Sequence, residues 1–205
     1  MELDQEELQR KSEQLKEQKI KQIKDKIKCC LKMLNLPNEI KDIIISYSFD
    51  ESKIETNYSL KAKVKEYCKT KKEYLISELD VSCVTSMNCL FRDFREFNEL
   101  LDKWDTSNVI DMSYMFFGCE KFNKELNFDT KNVISMYCMF YSCKTFNKPI
   151  EFNTENVIDI NYMFYYCKKL NKPIKFKVLL NTNIVPNIFN GCRSLKSENN
   201  MLIFC

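Results

Sequence analysis

Four cysteines, Cys119, Cys143, Cys167 and Cys192, recur at intervals of 24, 24 and 25 residues. On successive layers about 5 Å apart, such thiols could form a disulfide stack or a chain of metal ligands. Packing competes with both chemistries, because Phe94 holds the matching place in the preceding copy. A small buried hydrophobe filling a bend is the reading that Phe94 favours. The sequence has no histidine. That removes the Ser-His-Asp and Cys-His nucleophile arrangements and every His-ligated metal site. Gly118 and Gly191 are its only glycines, so no glycine-rich loop can cradle a phosphate. We therefore expect no catalytic residue, no cofactor and no metal.

A second column is aromatic. Phe117, Tyr141 and Tyr165 share one place in the copies and are expected outside the core, where half-exposed rings anchor partners. Lys124, Lys148 and Lys172 form a neighbouring row that keeps the surface soluble and spaced.

Both columns belong to a repeat of 24 residues. Asp105-Thr-Ser-Asn-Val-Ile-Asp-Met-Ser-Tyr-Met-Phe-Phe-Gly-Cys119 recurs from Asp129 and again from Asn153. A divergent copy occupies 80–104, and a degraded one runs from about 177 to 196. Stacking the copies gives seven apolar columns, led by Val84, Met87, Leu90, Phe91, Phe94, Phe97 and Leu101. That much apolar surface cannot be buried inside one copy, so neighbours must stack into a continuous core. Val-x-x-Met suits a short strand, and Met-x-x-Met-Phe-x-x-Cys suits about two turns of helix. Two asparagine columns, Asn108–Asn132–Asn156–Asn181 and Asn98–Asn123–Asn147–Asn171, predict ladders in which side-chain amides satisfy turn backbone.

These residues resemble the BspA-like leucine-rich repeat family, whose repeat reads approximately W-D-T-S-N-V-T-D-M-S-x-M-F-x-x-C-x-x-F-N. Trp104 through Asn123 follows it almost position by position, and the resemblance covers about 60–196. It implies an α/β repeat fold: a short right-handed leucine-rich-repeat solenoid of about five 24-residue coils, each a short parallel strand plus a short helix. The family is known mostly from bacterial surface proteins, protists and large DNA viruses, where it implies protein–protein contact or adhesion without catalysis.

The N-terminal third is expected to be helical. Residues 1–33 form a charged amphipathic helix, with Ile20, Ile23, Ile27, Leu31 and Leu34 spaced 3, 4, 4 and 3 apart. It either lies on the repeats or pairs with a partner helix. Six lysines between Lys19 and Lys32 face Asp25 alone, a charge that could touch nucleic acid or an anionic membrane but more often marks a solvated face. Residues 34–59 hold a packing helix or an F-box-like one. Leu34-Asn-Leu-Pro-Asn-Glu-Ile-Lys-Asp-Ile-Ile resembles the opening of an F-box, which implies that Leu36, Pro37, Ile40 and Ile44 dock on the adaptor of a cullin-type ubiquitin ligase. Residues 60–79 read as a helical cap, 80–196 as the repeats and 197–205 as a C-terminal tail.

The 205-residue chain carries a net charge of +3, with 44% hydrophobic and 30% charged residues, which suits a soluble fold. No apolar leader opens it and no apolar run approaches the roughly 20 residues of a membrane span. Its 11 cysteines, an odd number, then suggest reduced thiols and a cytoplasmic setting, or the host cytoplasm or virion for a viral chain. The expected function is a non-enzymatic protein–protein interaction module. The alternatives are a substrate receptor of a ubiquitin ligase and a structural component of a viral particle or other assembly. Protein partners are expected, and nucleic acid is not.

Overall fold

The computed structural model describes residues 4–32, 55–70, 75–178 and 187–204. Its regular elements are helix α1 (Gln5–Lys32), helix α2 (Asn57–Thr70), a 3₁₀ turn (Ile76–Glu78), strand β1 (Ile174–Val178), a second 3₁₀ turn (Ser197–Asn199) and strand β2 (Asn200–Phe204). The segment with Leu36, Pro37, Ile40 and Ile44 lies outside the described residues.

The expected α/β leucine-rich solenoid, with a strand and a helix in each of five coils, does not form. Between residues 86 and 170 there is neither helix nor strand, only turns and single-residue parallel bridges. The bridges join Ser86 to Asp111, Asp111 to Ser135 and Ser135 to Asp159. The Val109–Met112, Val133–Met136 and Val157–Ile160 segments thus meet in parallel, but at one residue each.

The backbone explains why the helical spacing fails. Cys89, Tyr114, Cys138 and Tyr162 have φ of 53–57°. Four residues later, Asp93, Gly118, Ser142 and Tyr166 have φ of 58–71°, and Gly191, in the same column, has 81°. A left-handed residue every fourth position cannot continue a right-handed helix. It suits the third position of a tight turn instead. In one repeat the amides of Met115, Phe117 and Cys119 close turns onto Met112, Tyr114 and Phe116. The alternate amides, of Tyr114, Phe116 and Gly118, donate to Tyr137, Met139 and Tyr141 of the next repeat at 2.8–2.9 Å. Spacings of 3 and 4 arise here from a run of turns rather than from a helical face.

The apolar columns do fill one core. Val109, Met112, Met115, Phe116, Cys119 and Phe122 are fully buried, as are Val133, Met136, Met139, Phe140, Cys143 and Phe146. Phe91, Phe116, Phe140 and Phe164 lie nearly parallel, with centroids 5.3–5.4 Å apart, and Phe189 extends the pile at 5.7 Å. Phe97, Phe122 and Phe146 form a second pile at 5.9–6.0 Å.

The asparagine ladders are in place except for Asn181, which lies outside the described residues. Asn98, Asn123 and Asn147 each accept, through Oδ1, the backbone N–H of the next asparagine in the column at 2.8–2.9 Å. Asn108, Asn132 and Asn156 donate through Nδ2 to a carbonyl of the preceding repeat at 2.7–2.8 Å.

Two helices close the upper end. Thr56 and Ser59 cap α2 reciprocally, each side-chain hydroxyl receiving the other's backbone N–H, a capping-box arrangement. Leu60 and Val64 of α2 then cover the first repeat's apolar side. Asn57 takes the place of a missing preceding repeat: its Oδ1 accepts the Thr85 and Ser86 N–H groups at 2.9 and 3.1 Å. In later repeats the corresponding amides of Ile110, Ile134 and Ile158 reach the carbonyl of the repeat before at 2.8 Å.

Helix α1 begins at an Asp4 N-cap and lies against the first repeat through Leu8, Gln9 and Ser12, all buried. Ser12 Oγ donates to the Cys83 carbonyl at 2.5 Å, and Lys19 Nζ pairs with Asp80 at 2.8 Å. At the lower end β1 follows a bridge from Ile150 to Ile174 and pairs in parallel with β2, Ile174 opposite Asn200. The expected tail is therefore a strand. Among the described residues no helix is long and apolar enough to cross a membrane.

Two outcomes follow from this packing. Phe140→Ala removes the middle ring of the pile and should cost about 3–5 kcal/mol, read as a lowered midpoint in urea. The second concerns acid. Burial pushes the Asp80 carboxyl up, but hydrogen bonds from Lys19 and Ser82 and the Lys19 charge outweigh it and hold it below its ordinary value. A carboxylate with a lowered folded pKa adds stability above its unfolded value of about 3.9 and loses it as pH falls through the folded one. Amide exchange in α1 should therefore rise below about pH 4, and Asp80→Asn should remove that acid-linked rise.

Candidate functional site: a half-exposed aromatic face

The turns that bury one phenylalanine column carry the next residue outward. Phe117 follows Phe116, Tyr141 follows Phe140 and Tyr165 follows Phe164, so the three rings line up on the flank of the stack. All are half-buried. Phe117 and Tyr141 stack at 4.7 Å, and Tyr141 and Tyr165 at 4.9 Å, with ring planes within 14°. The structure therefore brings the three expected contact residues together.

The face is wider than the sequence suggests. Tyr114, Tyr137 and Tyr162 run beside the first column, each edge-on to the next at 5.1 and 6.0 Å. Tyr162 also meets Tyr165 at 5.6 Å, and Tyr166 meets Tyr165 at 4.7 Å. Six of the protein's ten tyrosines thus share one surface. A recurrence of tyrosine at 114 and 162 was available in the sequence. Tyr137 was not, because its column holds Ser113 and Asn161 in the adjacent copies.

Arg92 occupies the aromatic column's place in the first repeat. Its guanidinium lies 5.0 Å from the Phe117 ring centre and 5.2 Å from that of Tyr114, within the range of cation–π attraction. Burial raises the Tyr114 and Tyr137 hydroxyl pKa values, so both rings stay neutral donors near neutral pH.

The cysteine column packs between the layers. Cys119, Cys143, Cys167 and Cys192 are unbridged. Each thiol donates to a carbonyl of the preceding repeat, those of Phe91, Phe116, Phe140 and Phe164, at 2.9–3.1 Å. Burial pushes the thiols of Cys119, Cys143 and Cys167 well above their ordinary value. Among the described residues no three His, Cys, Asp or Glu side chains converge as metal ligands would.

In the lysine row Lys148 approaches Glu125 at 3.5 Å, at the surface, where such pairs add little.

The fold and its flank define a class: a repeat protein built from turns, with a helical cap and a continuous aromatic face. The chain belongs to the family described as Mycoplasma protein of unknown function, DUF285, whose profile matches residues 58–176 and 126–201. The match takes in α2 and the repeats that resemble the BspA-like pattern. No curated protein and no solved structure matches the chain.

Thiol mapping tests the cysteine geometry. In the native protein at pH 8, iodoacetamide should modify half-exposed Cys89 and leave Cys119, Cys143 and Cys167 unmodified until urea is added. Early modification of the three would mean that the column is open to solvent.

Proposed function

We infer that the protein is a non-enzymatic interaction module whose aromatic face binds another protein, as the BspA-like resemblance implies. The observation that supports this best is the stacked flank of Phe117, Tyr141 and Tyr165. These rings are too exposed to belong to the core and are held rigidly by the repeat spacing. A rigid aromatic side chain anchors a partner at small entropic cost, and Tyr, Trp and Arg dominate binding energy at interfaces. Arg92 at the head of the column adds a second of these residue types to the same surface.

The test is a photo-crosslinker placed at Tyr141 or Tyr165 in the full chain, with Tyr58 on α2, 59% exposed, as the control position. Crosslinks should form from the face and not from the control. The Tyr141→Ser, Tyr165→Ser double variant should abolish the captured complex at a stability loss of about 1–3 kcal/mol, followed by thermal melting. Unchanged capture would remove the face from the function.

A further inference from the structure

Beside the tyrosines lies a groove of about 650 Å³, walled on one side by the start of α1 and on the other by Tyr114 and Tyr137. Its floor is the bridge column Asp111, Ser135 and Asp159, and Asp4 and Glu6 of the α1 terminus rim it. The groove thus gathers four carboxylates and two phenol rings. Elsewhere acidic side chains meet cations: Asp80 meets Lys19, Glu120 meets Lys144, Asp129 meets Lys131 and Glu151 meets Lys175. Among the described residues no Lys or Arg pairs with any of the four groove carboxylates.

Asp111 is the clearest case. It is only 2% exposed, and a buried charge is costly unless it is paired. Its partners are the Gln5 side-chain amide at 3.0 Å and the Ser113 N–H at 2.9 Å, both neutral. Asp159 holds Asn161 through Oδ1 alone, which leaves Oδ2 without a hydrogen bond among the described residues. Ser113 and Ser135 bond to each other at 2.7 Å between the two aspartates. One of the two groove rings, Tyr114, already meets a guanidinium, that of Arg92 at 5.2 Å.

We propose that this groove binds an extended segment of a partner protein rich in arginine and lysine. Carboxylates on the floor take the charged heads, and the Tyr114 and Tyr137 rings take the stems and guanidinium faces. Asp111 and Asp159 stand two layers apart, about 10 Å at a strand-like spacing. An extended chain covers that distance in about three residues, so one short basic segment spans both. The whole chain is positive, at +3, so the attraction is local to the groove and does not come from net charge. This inference rests on the interaction-module reading and names the chemistry of its partner.

The probe is a fluorescein-labelled nonapeptide of alternating Arg and Ala, with an alternating Glu and Ala peptide as its opposite. Anisotropy with the full chain should show binding of the first peptide only, weakening at least tenfold between 50 and 300 mM salt. Asp111→Asn with Asp159→Asn keeps the oxygens that accept the Ser113 and Asn161 N–H groups and removes the charge, at the loss of the Gln5 bond to Asp111. This pair should weaken binding at least tenfold. Glu17→Gln with Asp102→Asn, removing equal charge away from the groove, should change it less than twofold. Glu6→Gln alters an exposed carboxylate that makes no hydrogen bond among the described residues and should weaken binding two- to threefold, so the test survives if the aspartate pair fails to fold. No binding of the arginine peptide, or equal losses from the groove and control pairs, would overturn the proposal. A captured complex lost with Tyr141→Ser, Tyr165→Ser but unaffected by the aspartate pair would leave the interaction face standing and remove the basic partner. A complex indifferent to both would remove the two together.

Discussion

Every repeat faces the same constraint: its amides must be satisfied by turns and by neighbours in alternation. In a helix each N–H turns back along its own chain, and in a sheet alternate residues pair to either side. Here Phe117 closes a turn on Tyr114 while Phe116 and Gly118 reach the next layer. The arrangement needs a left-handed residue at two places per repeat, and the chain supplies it mostly without glycine. Such conformations are costly for ordinary side chains. They persist because each is held between layers that already fix its neighbours.

That constraint determines where side chains go. Once the layers are in register, residues 24 or 25 apart meet directly, and any preference of one repeat becomes a column. Stacked rings follow from the layer spacing, 5.3 Å apart inside as phenylalanine and 4.7–4.9 Å apart outside as the Phe117–Tyr141–Tyr165 flank. The thiols and asparagines serve the same end, since each gives or receives one bond from the layer before. The core and the candidate binding face are two sides of one turn, differing by a single residue in sequence.

The periodicity made the stacking, the buried columns and the asparagine ladders legible, because these depend only on which residues coincide. It could not distinguish a helix from a run of turns, since both bring residues three and four apart onto one side. The difference lies in φ at Cys89, Tyr114, Cys138 and Tyr162, and cysteine or tyrosine at those places gives no warning of a left-handed backbone. The aromatic flank was half visible for the same reason. Its central column repeats, whereas Tyr137 occurs once and Arg92 replaces a ring with a cation. The groove escaped the sequence because it joins Asp4 and Glu6 to Asp111 and Asp159 across the fold.

Asn57 has a wider consequence. One side chain stands in for a whole absent layer, accepting the amides that a preceding repeat would otherwise accept. The stack therefore has a polarity, with a fixed beginning. Gene duplication could lengthen such an array from within by whole units while the Asn57 junction stays untouched. Each added unit would extend the outer tyrosine flank by one ring and the inner pile by another. The reach of the surface is thus set by a copy number, a quantity that unequal recombination changes in one step.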